Sequence, residues 1–96
     1  MAGAASKRKG TRNEHRSITY LEAGGYLCTR SGGSLGCWDV IGIGGRAVLL
    51  VQVKTNRWPG TVEMSALRAF PVPPGVVKVI HLWNTRARVP VVKEVR

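Results

Sequence analysis

Two apolar runs separated by a glycine-rich turn constrain the fold of this chain more than any other stretch. The runs cover residues 38–43 and 47–53 and flank a Gly-Gly-Arg sequence. Apolar runs on either side of a short glycine turn are typical of a β-hairpin. If the turn takes the four residues 44–47, Ile43 lies opposite Val48. The stretch therefore predicts two antiparallel strands with a defined register.

Three polar residues interrupt this hairpin. Asp39 lies in the first run, and Gln52 and Lys54 lie at the end of the second. Because side chains alternate between the two faces of a strand, Gln52 and Lys54 share a face. The same register puts Asp39 opposite Gln52, so the three polar groups share one patch of an otherwise hydrophobic sheet. A slip of one residue would move one strand's side chains to the other face, and the patch therefore depends on the register.

The chain is strongly basic for its size. Its 96 residues carry 15 Lys and Arg against five Asp and Glu, which gives a formal net charge of +10. A chain of this length forms one domain with a single modest core. A basic surface attracts polyanions through a sequence-independent and salt-sensitive term. The charge therefore indicates a polyanion partner without specifying which one.

The cysteines, histidines and glycines exclude several kinds of site. Cys28 and Cys37 are separated by eight residues and lie far from any histidine pair, which fits no common zinc motif. We expect two buried or half-buried free thiols in a reducing compartment. No glycine motif has the context of a Walker or dinucleotide loop, so no nucleotide cofactor is expected. Without an apolar leader or membrane span, we expect a soluble, cytoplasmic protein with no membrane partner.

The remaining segments predict a small domain of the α/β or α+β class. Residues 1–10 are small, polar and basic, which is typical of a disordered arm, and a single domain is expected at 11–96. Helices are predicted at residues 12–23 and 61–70, and further strands at 26–30, 76–83 and 89–95. These elements predict a mixed five-stranded sheet flanked by two helices.

Glu14 has two interpretations on the first predicted helix. It lies on the same stripe as Ile18 and Leu21, the face expected to pack on the sheet. In one interpretation Thr11 and Glu14 form a capping box, and the carboxylate folds back onto the Thr11 amide. In the other, Glu14 points over the sheet as a metal-site carboxylate. The helix alone leaves both open.

Other residues also have competing roles. The basic residues 7–9 either follow a phosphate backbone or only make the arm soluble. Trp58 beside Arg57 either stacks on a base or covers the edge of the core. His81, inside the apolar run 76–83, is expected to be a core or rim histidine and not a catalytic base.

The polar groups taken together describe a divalent-metal phosphodiesterase site. Magnesium takes one or two carboxylates and borrows phosphate oxygens from its substrate. Asp39 and Glu14 would supply the carboxylates, and the Val53 carbonyl or the Gln52 amide oxygen a further ligand. Lys54 would orient or deprotonate the attacking water and stabilise charge on the phosphorane.

These residues resemble a known family. Glu14, then Asp39, then Gln-Val-Lys at 52–54 are similar to the PD-(D/E)xK nuclease superfamily. The segments KGTRNE, RSGGS and WDVIGI...LLVQVKT resemble in particular the small archaeal- and phage-type Holliday junction resolvases, over residues 9–95. Trp38 stands where the motif has proline, and Gln52 replaces the usual acid, which removes one negative charge from the metal site.

The resemblance implies a restriction-endonuclease-like fold and a catalytic set of Glu14, Asp39, Gln52 and Lys54. It implies Mg²⁺, with Mn²⁺ as a substitute, held by Glu14, Asp39, Gln52 and Val53. It also implies a homodimer, which agrees with the two symmetric cuts that a four-way junction requires. The residues expected to contact DNA are Lys7, Arg8, Lys9, Arg12, Arg30, Ser31, Arg57 and Trp58.

Three functions follow from this resemblance. The first is a magnesium-dependent endonuclease that resolves four-way DNA junctions. The second is a VRR-type or repair nuclease that acts on flaps, nicks or duplex ends. The third is a DNA-binding module that kept the fold and the basic surface but not the activity.

Overall fold

The computed structural model describes the backbone of residues 2–96 and the side chains from Gly10 onward. Two helices and five strands follow one another along the chain. In order they are α1 (Ala2–Ala23), β1 (Leu27–Arg30), β2 (Val40–Ile43), β3 (Val48–Thr55), α2 (Thr61–Ala69), β4 (Val76–Trp83) and β5 (Val91–Val95).

The five strands form one mixed sheet in the order β1-β2-β3-β4-β5. Only β3 and β4 are parallel, because the α2 crossover joins them, and all other neighbours are antiparallel. This confirms the predicted mixed five-stranded sheet with two helices. The predicted register is also confirmed, since Ile43 pairs with Val48. The Gly44 amide donates to the Ala47 carbonyl at 2.9 Å and closes the predicted turn.

Gly44 is required at this turn by a close approach and not by its backbone angles. A Cβ atom at this position would lie 2.5 Å from the Tyr26 ring. Tyr26 packs in the cluster beneath α1, so the ring connects the turn to that core.

The sheet has an apolar cluster on each face. The α1 face buries Leu21 of the helix against Val40, Val51 and Val79. The α2 face buries Leu67 of the helix together with Trp38, Leu50, Ile80 and Val95. Strand alternation carries the α2 face of β3 from Leu50 through Gln52 to Lys54. Two residues of the predicted patch, Gln52 and Lys54, therefore continue the face of Leu50 toward the end of β3.

Helix α1 begins earlier than the sequence predicted. It starts at Ala2 and includes residues 2–10, for which the sequence predicted a basic arm. Alanine, lysine and arginine dominate this segment, and their high helix propensity extends the helix once residues 11–23 are anchored on the sheet. Thr11 consequently lies inside the helix, where no free N-terminal amide remains, and the capping box with Glu14 does not form.

Both cysteines are free thiols of intermediate burial, as predicted. Burial is the main cause that raises the pKa of each thiol above its ordinary value, with Glu22 adding to the effect at Cys28. Among residues 2–96, no helix combines the length and the apolar character needed to cross a bilayer.

Lys78 is a buried cation that fastens the end of α2 to the sheet. Its side chain is 8% exposed, and Nζ donates to the carbonyls of Leu67, Arg68 and Phe70 at 2.7, 2.8 and 2.9 Å. These carbonyls lie at the C-terminal end of α2, where a positive charge is favourable.

We expect Lys78→Met to destabilise the protein by about 2 kcal/mol, because three carbonyls lose their donor in a buried site. Urea unfolding measures the change in the free energy of unfolding. Lys93→Met is the matched control: Lys93 lies opposite Ile80 on β5 and is exposed, so its loss should cost under about 1 kcal/mol. Equal losses in the two variants would contradict an anchoring role for Lys78.

Candidate active site

The candidate site lies where β2 begins and β3 ends, and Asp39 is at its centre. The Asp39 amide donates to the Val51 carbonyl at 2.8 Å, and its carboxylate Oδ2 accepts the Val53 amide at 2.8 Å. Paired residues of the hairpin end at Val40 and Val51. Asp39 therefore forms hydrogen bonds with Val51 and Val53, the two residues that flank Gln52. The sequence predicted Asp39 to lie opposite Gln52.

Charges from three other elements act on this carboxylate. Burial raises the pKa of Asp39 above its ordinary value, and the charge of Glu14 raises it further. The Val53 amide, Lys54 and Arg30 act in the opposite direction. Glu14 comes from α1, Arg30 from β1 and Lys54 from β3, so the fold brings together groups that are far apart in sequence.

Gln52 contributes an unpaired oxygen to this region. The residue is 8% exposed, and its Oε1 has no hydrogen-bond partner. Burying an unpaired amide oxygen costs about 1–3 kcal/mol, which a bound cation would offset. The Gln52 amide oxygen, the Asp39 carboxylate and the Val53 carbonyl are oxygen ligands of the kind that suits a hard cation such as Mg²⁺.

Carboxylates alone do not form a metal site here. Within the described part of the chain, no three His, Cys, Asp or Glu side chains come together as a ligand set. A divalent ion at this position therefore depends on amide and carbonyl oxygens as well as on Asp39.

Glu14 is held by a neighbouring strand. Its Oε1 accepts from Nε of Arg30 at 2.9 Å, in an ion pair whose Glu14 side chain is 20% exposed. The Arg30 guanidinium was predicted to contact phosphate, and in this structure it neutralises Glu14. A phosphate entering the site would offer Arg30 a second anionic partner.

Lys54 has a partner that the sequence did not single out. Its Nζ lies 3.3 Å from Oε2 of Glu63, in the first turn of α2. The parallel β3-α2-β4 crossover brings this turn back over the end of β3. Glu63 is one of only five acids in the chain, which was the available signal, but its pairing depends on the crossover.

Ser31 supports the loop before Asp39. Its amide donates to the Asp39 carbonyl at 3.0 Å, and its hydroxyl donates to the Trp38 carbonyl. Both donors therefore hold the β1–β2 loop, and the predicted phosphate contact would require the hydroxyl to rotate away. Trp38 itself is fully buried in the α2-face core.

The predicted DNA contacts fall in separate places. Arg12 lines a cleft between α1 and the β4–β5 loop. Arg57 is exposed, and Trp58 is 37% exposed with Nζ of Lys93 lying 5.7 Å from its ring centre. The side chains of Lys7, Arg8 and Lys9 lie outside the described residues.

His81 is a core histidine, as predicted, and lies on the α1 face of the sheet. It is 1% exposed, and its Nδ1 lies 2.9 Å from the Ser17 hydroxyl, which also accepts from Nε1 of Trp83 at 2.8 Å. Burial lowers the pKa of His81 to about 4. The imidazole is therefore neutral at pH 7.

The sheet order, the acid at the start of β2 and the Gln-x-Lys at the end of β3 define an α+β domain with the PD-(D/E)xK nuclease fold. Among solved structures, the chain is similar to Hjc of Archaeoglobus fulgidus, a Holliday junction resolvase from an archaeal hyperthermophile. The match has a TM-score of 0.72 and 27% identity, and it covers 91% of this chain and 73% of that one. No family model and no curated protein matches the chain. The structural likeness confirms the resemblance stated from the sequence.

Proposed function

We propose that this protein is a divalent-metal-dependent endonuclease that cuts four-way DNA junctions. The observation that carries the proposal is the half-buried Asp39 carboxylate held at the Val53 amide, with the orphaned Gln52 oxygen and Lys54 on the same stretch of β3, in a fold similar to that of a Holliday junction resolvase. The net charge of +10 supports a polyanionic substrate.

The chain's own groups divide the work of phosphodiester hydrolysis. Asp39, Gln52 and the Val53 carbonyl would hold a magnesium ion, with Glu14 completing the set when Arg30 turns to the phosphate. The chemistry that the ion supplies when bound is neutralisation of charge on the phosphoryl oxygens. Lys54 orients the attacking water and stabilises the charge that grows on the phosphorane. Manganese is expected to replace magnesium at these oxygen ligands.

A homodimer fits this substrate. A four-way junction has two strands of like polarity to be cut, and a two-fold dimer places one site at each. A small domain also gains buried apolar surface by pairing.

The test is incision of a labelled four-way junction compared with a matched duplex and a flap, with magnesium and with chelator. We expect magnesium-dependent cuts in the junction, at symmetric positions in two strands. Preferential cutting of the flap would favour a VRR-type or repair nuclease. Tight junction binding with no cutting in magnesium or manganese would contradict a nuclease and favour a binding module.

We expect Glu63→Gln to lower kcat about fivefold and leave KM nearly unchanged, because the exposed ion pair that positions Lys54 is worth up to about 1 kcal/mol. The dependence of the steady-state cleavage rate on junction concentration measures both constants. Glu94→Gln is the matched control, since Glu94 pairs with Arg96 near the end of the chain. A variant that binds DNA more tightly at an unchanged rate would show instead that Glu63 only repels phosphate.

A further inference from the structure

We propose that a second anion site beside the candidate active site, an arginine cleft formed by Arg12, Arg16, Arg86 and the neighbouring Asn84 and Thr85, binds a backbone phosphate of the DNA. The cleft has a volume of about 330 Å³ and lies between α1 and the β4–β5 loop. This inference rests on the proposed function for the identity of the polyanion. The contacts that build the cleft are separate from those of the candidate active site.

The charge of the cleft is unbalanced. Three arginines line it and no carboxylate does. Among residues 10–96, the ion pairs use Arg30, Lys54 and Arg96, so neither Arg12 nor Arg86 has a carboxylate partner. Both are exposed. Guanidinium groups that converge on an open cleft without a counter-ion are suited to phosphate, which they bind through charge-assisted hydrogen bonds.

Arg16, the third arginine of the cleft, is fixed in place before any ligand binds. Its guanidinium carbon lies 4.1 Å from the centre of the Trp83 ring. Nη1 of Arg16 donates to Oδ1 of Asn13 at 3.2 Å, and Nη2 donates to the Ala87 carbonyl. A cation held in this way loses little side-chain entropy when an anion arrives.

The opposite wall is also held in place. Oδ1 of Asn56 accepts the Thr85 amide at 2.7 Å, and Nδ2 of Asn56 donates to the Thr85 hydroxyl at 2.9 Å. Arg86 then takes a left-handed backbone with φ of 66°, which is unfavourable for a residue other than glycine. Because such strain clusters at ligand-binding positions, an arginine in place of glycine here points to a role for its side chain.

Sequence neighbours connect this cleft to the candidate active site. Nδ2 of Asn13 donates to Oγ1 of Thr55 at 2.7 Å, and both residues line the cleft. Asn13 precedes Glu14, and Thr55 follows Lys54. The cleft and the candidate active site are thus built on the same stretches of α1 and β3, and a backbone phosphate of the same DNA is the ligand we assign.

The test measures junction binding in an Asp39→Asn background, so that cutting does not interfere. We expect Arg12→Gln and Arg86→Gly each to weaken binding about tenfold and to reduce the slope of log K against log salt by about 0.9. Arg46→Gln is the control, because Arg46 is exposed in the turn at the other end of the hairpin. It should change both quantities much less.

Arg86→Gly also separates binding from folding. Glycine relieves the left-handed strain, so the thermal midpoint should stay equal or rise while binding falls. A midpoint that falls in step with affinity would overturn a direct role for the side chain.

The phosphate itself is identified with uncharged methylphosphonate links, placed at each backbone position in turn. We expect one position near the cut where the neutral link weakens binding by the parent protein but adds nothing in Arg86→Gly. The phosphate site would be wrong, even if the protein cuts junctions, in either of two cases. In one, the neutral link and Arg86→Gly reduce affinity independently at every position. In the other, the salt slopes of the Arg12 and Arg86 variants equal that of Arg46→Gln. If junctions stay uncut in magnesium but the Arg12 and Arg86 variants show the expected salt slopes, the proposed nuclease activity is wrong and the phosphate site in the cleft is supported.

Discussion

Replacing Asp39 by Asn is expected to lower the rate of junction cleavage at least about 100-fold while junction affinity changes little. The substitution keeps the size of the side chain and removes the charge that would hold a divalent ion. Affinity depends on Lys and Arg contacts to phosphates, and these stay in place. Cleavage is measured in single turnover with saturating protein, and affinity by titration of a labelled junction in chelator.

The fold of this variant must be intact for the result to be informative. Asp39 accepts the Val53 amide through Oδ2, and an asparagine Oδ1 can accept the same hydrogen bond. Burial also raises the pKa of the native carboxyl, so a neutral group at this position is not penalised. Glu22→Gln, an exposed acid on α1, is the matched control and should keep full activity. Loss of cleavage and affinity together, with a lower thermal midpoint, would assign Asp39 a folding role instead.

Acidification is expected to destabilise the protein through His81 by about 3 kcal/mol between pH 7 and pH 4. The pKa of His81 falls from an ordinary value of 6.5 to about 4 in the folded protein. The unfolded chain therefore takes up a proton below pH 6.5 that the folded protein does not accept until about pH 4. Stability is complete above pH 6.5 and is lost progressively toward pH 4, at about 1.4 kcal/mol per unit of pKa difference.

The contacts of the imidazole explain the direction. Nδ1 faces the Ser17 hydroxyl, and that oxygen already accepts the indole proton of Trp83. The Ser17 hydroxyl proton is therefore available to Nδ1 of a neutral imidazole. A protonated ring would place a second donor against the same oxygen, in a site with no exposed surface to hydrate the charge.

Urea unfolding at fixed protein concentration from pH 7 to pH 4 measures how much His81 contributes to the pH dependence of the free energy of unfolding. The comparison is with His81→Gln, which is expected to be less stable at pH 7 but to lose little more on acidification. The difference between the two curves isolates His81, because the two proteins differ at this residue alone. Parallel curves would show that His81 does not control the acid sensitivity.

Local pattern determined the hairpin. Turn chemistry and alternating burial act over a few residues, so the pairing of Ile43 with Val48 and the place of Asp39 beside Gln52 were predictable. The same holds for the buried strand that contains His81, because a continuous apolar run leaves few other structures. The order of elements then fixed a mixed sheet with a helix on each face.

The start of α1 was not predictable in this way. Residues 2–10 have good helix formers but no apolar stripe, and composition alone favoured a basic arm. What extends the helix is its continuation into residues 11–23, which pack on the sheet. Once a helix is nucleated, good helix formers extend it at little cost in free energy. An amphipathic pattern marks only the segment that packs on the sheet.

By itself, the sequence determined the strands, the register of the β2–β3 hairpin, the positive charge and the three polar residues of that hairpin. Only the tertiary structure decided which charges meet: Glu14 with Arg30, Lys54 with Glu63, and Arg12 and Arg16 with the loop at Arg86. The physical reason is the range of the interactions. Strand and turn preferences act between neighbours in sequence, while ion pairs and clefts join residues that only the crossover and the packing of α1 bring together.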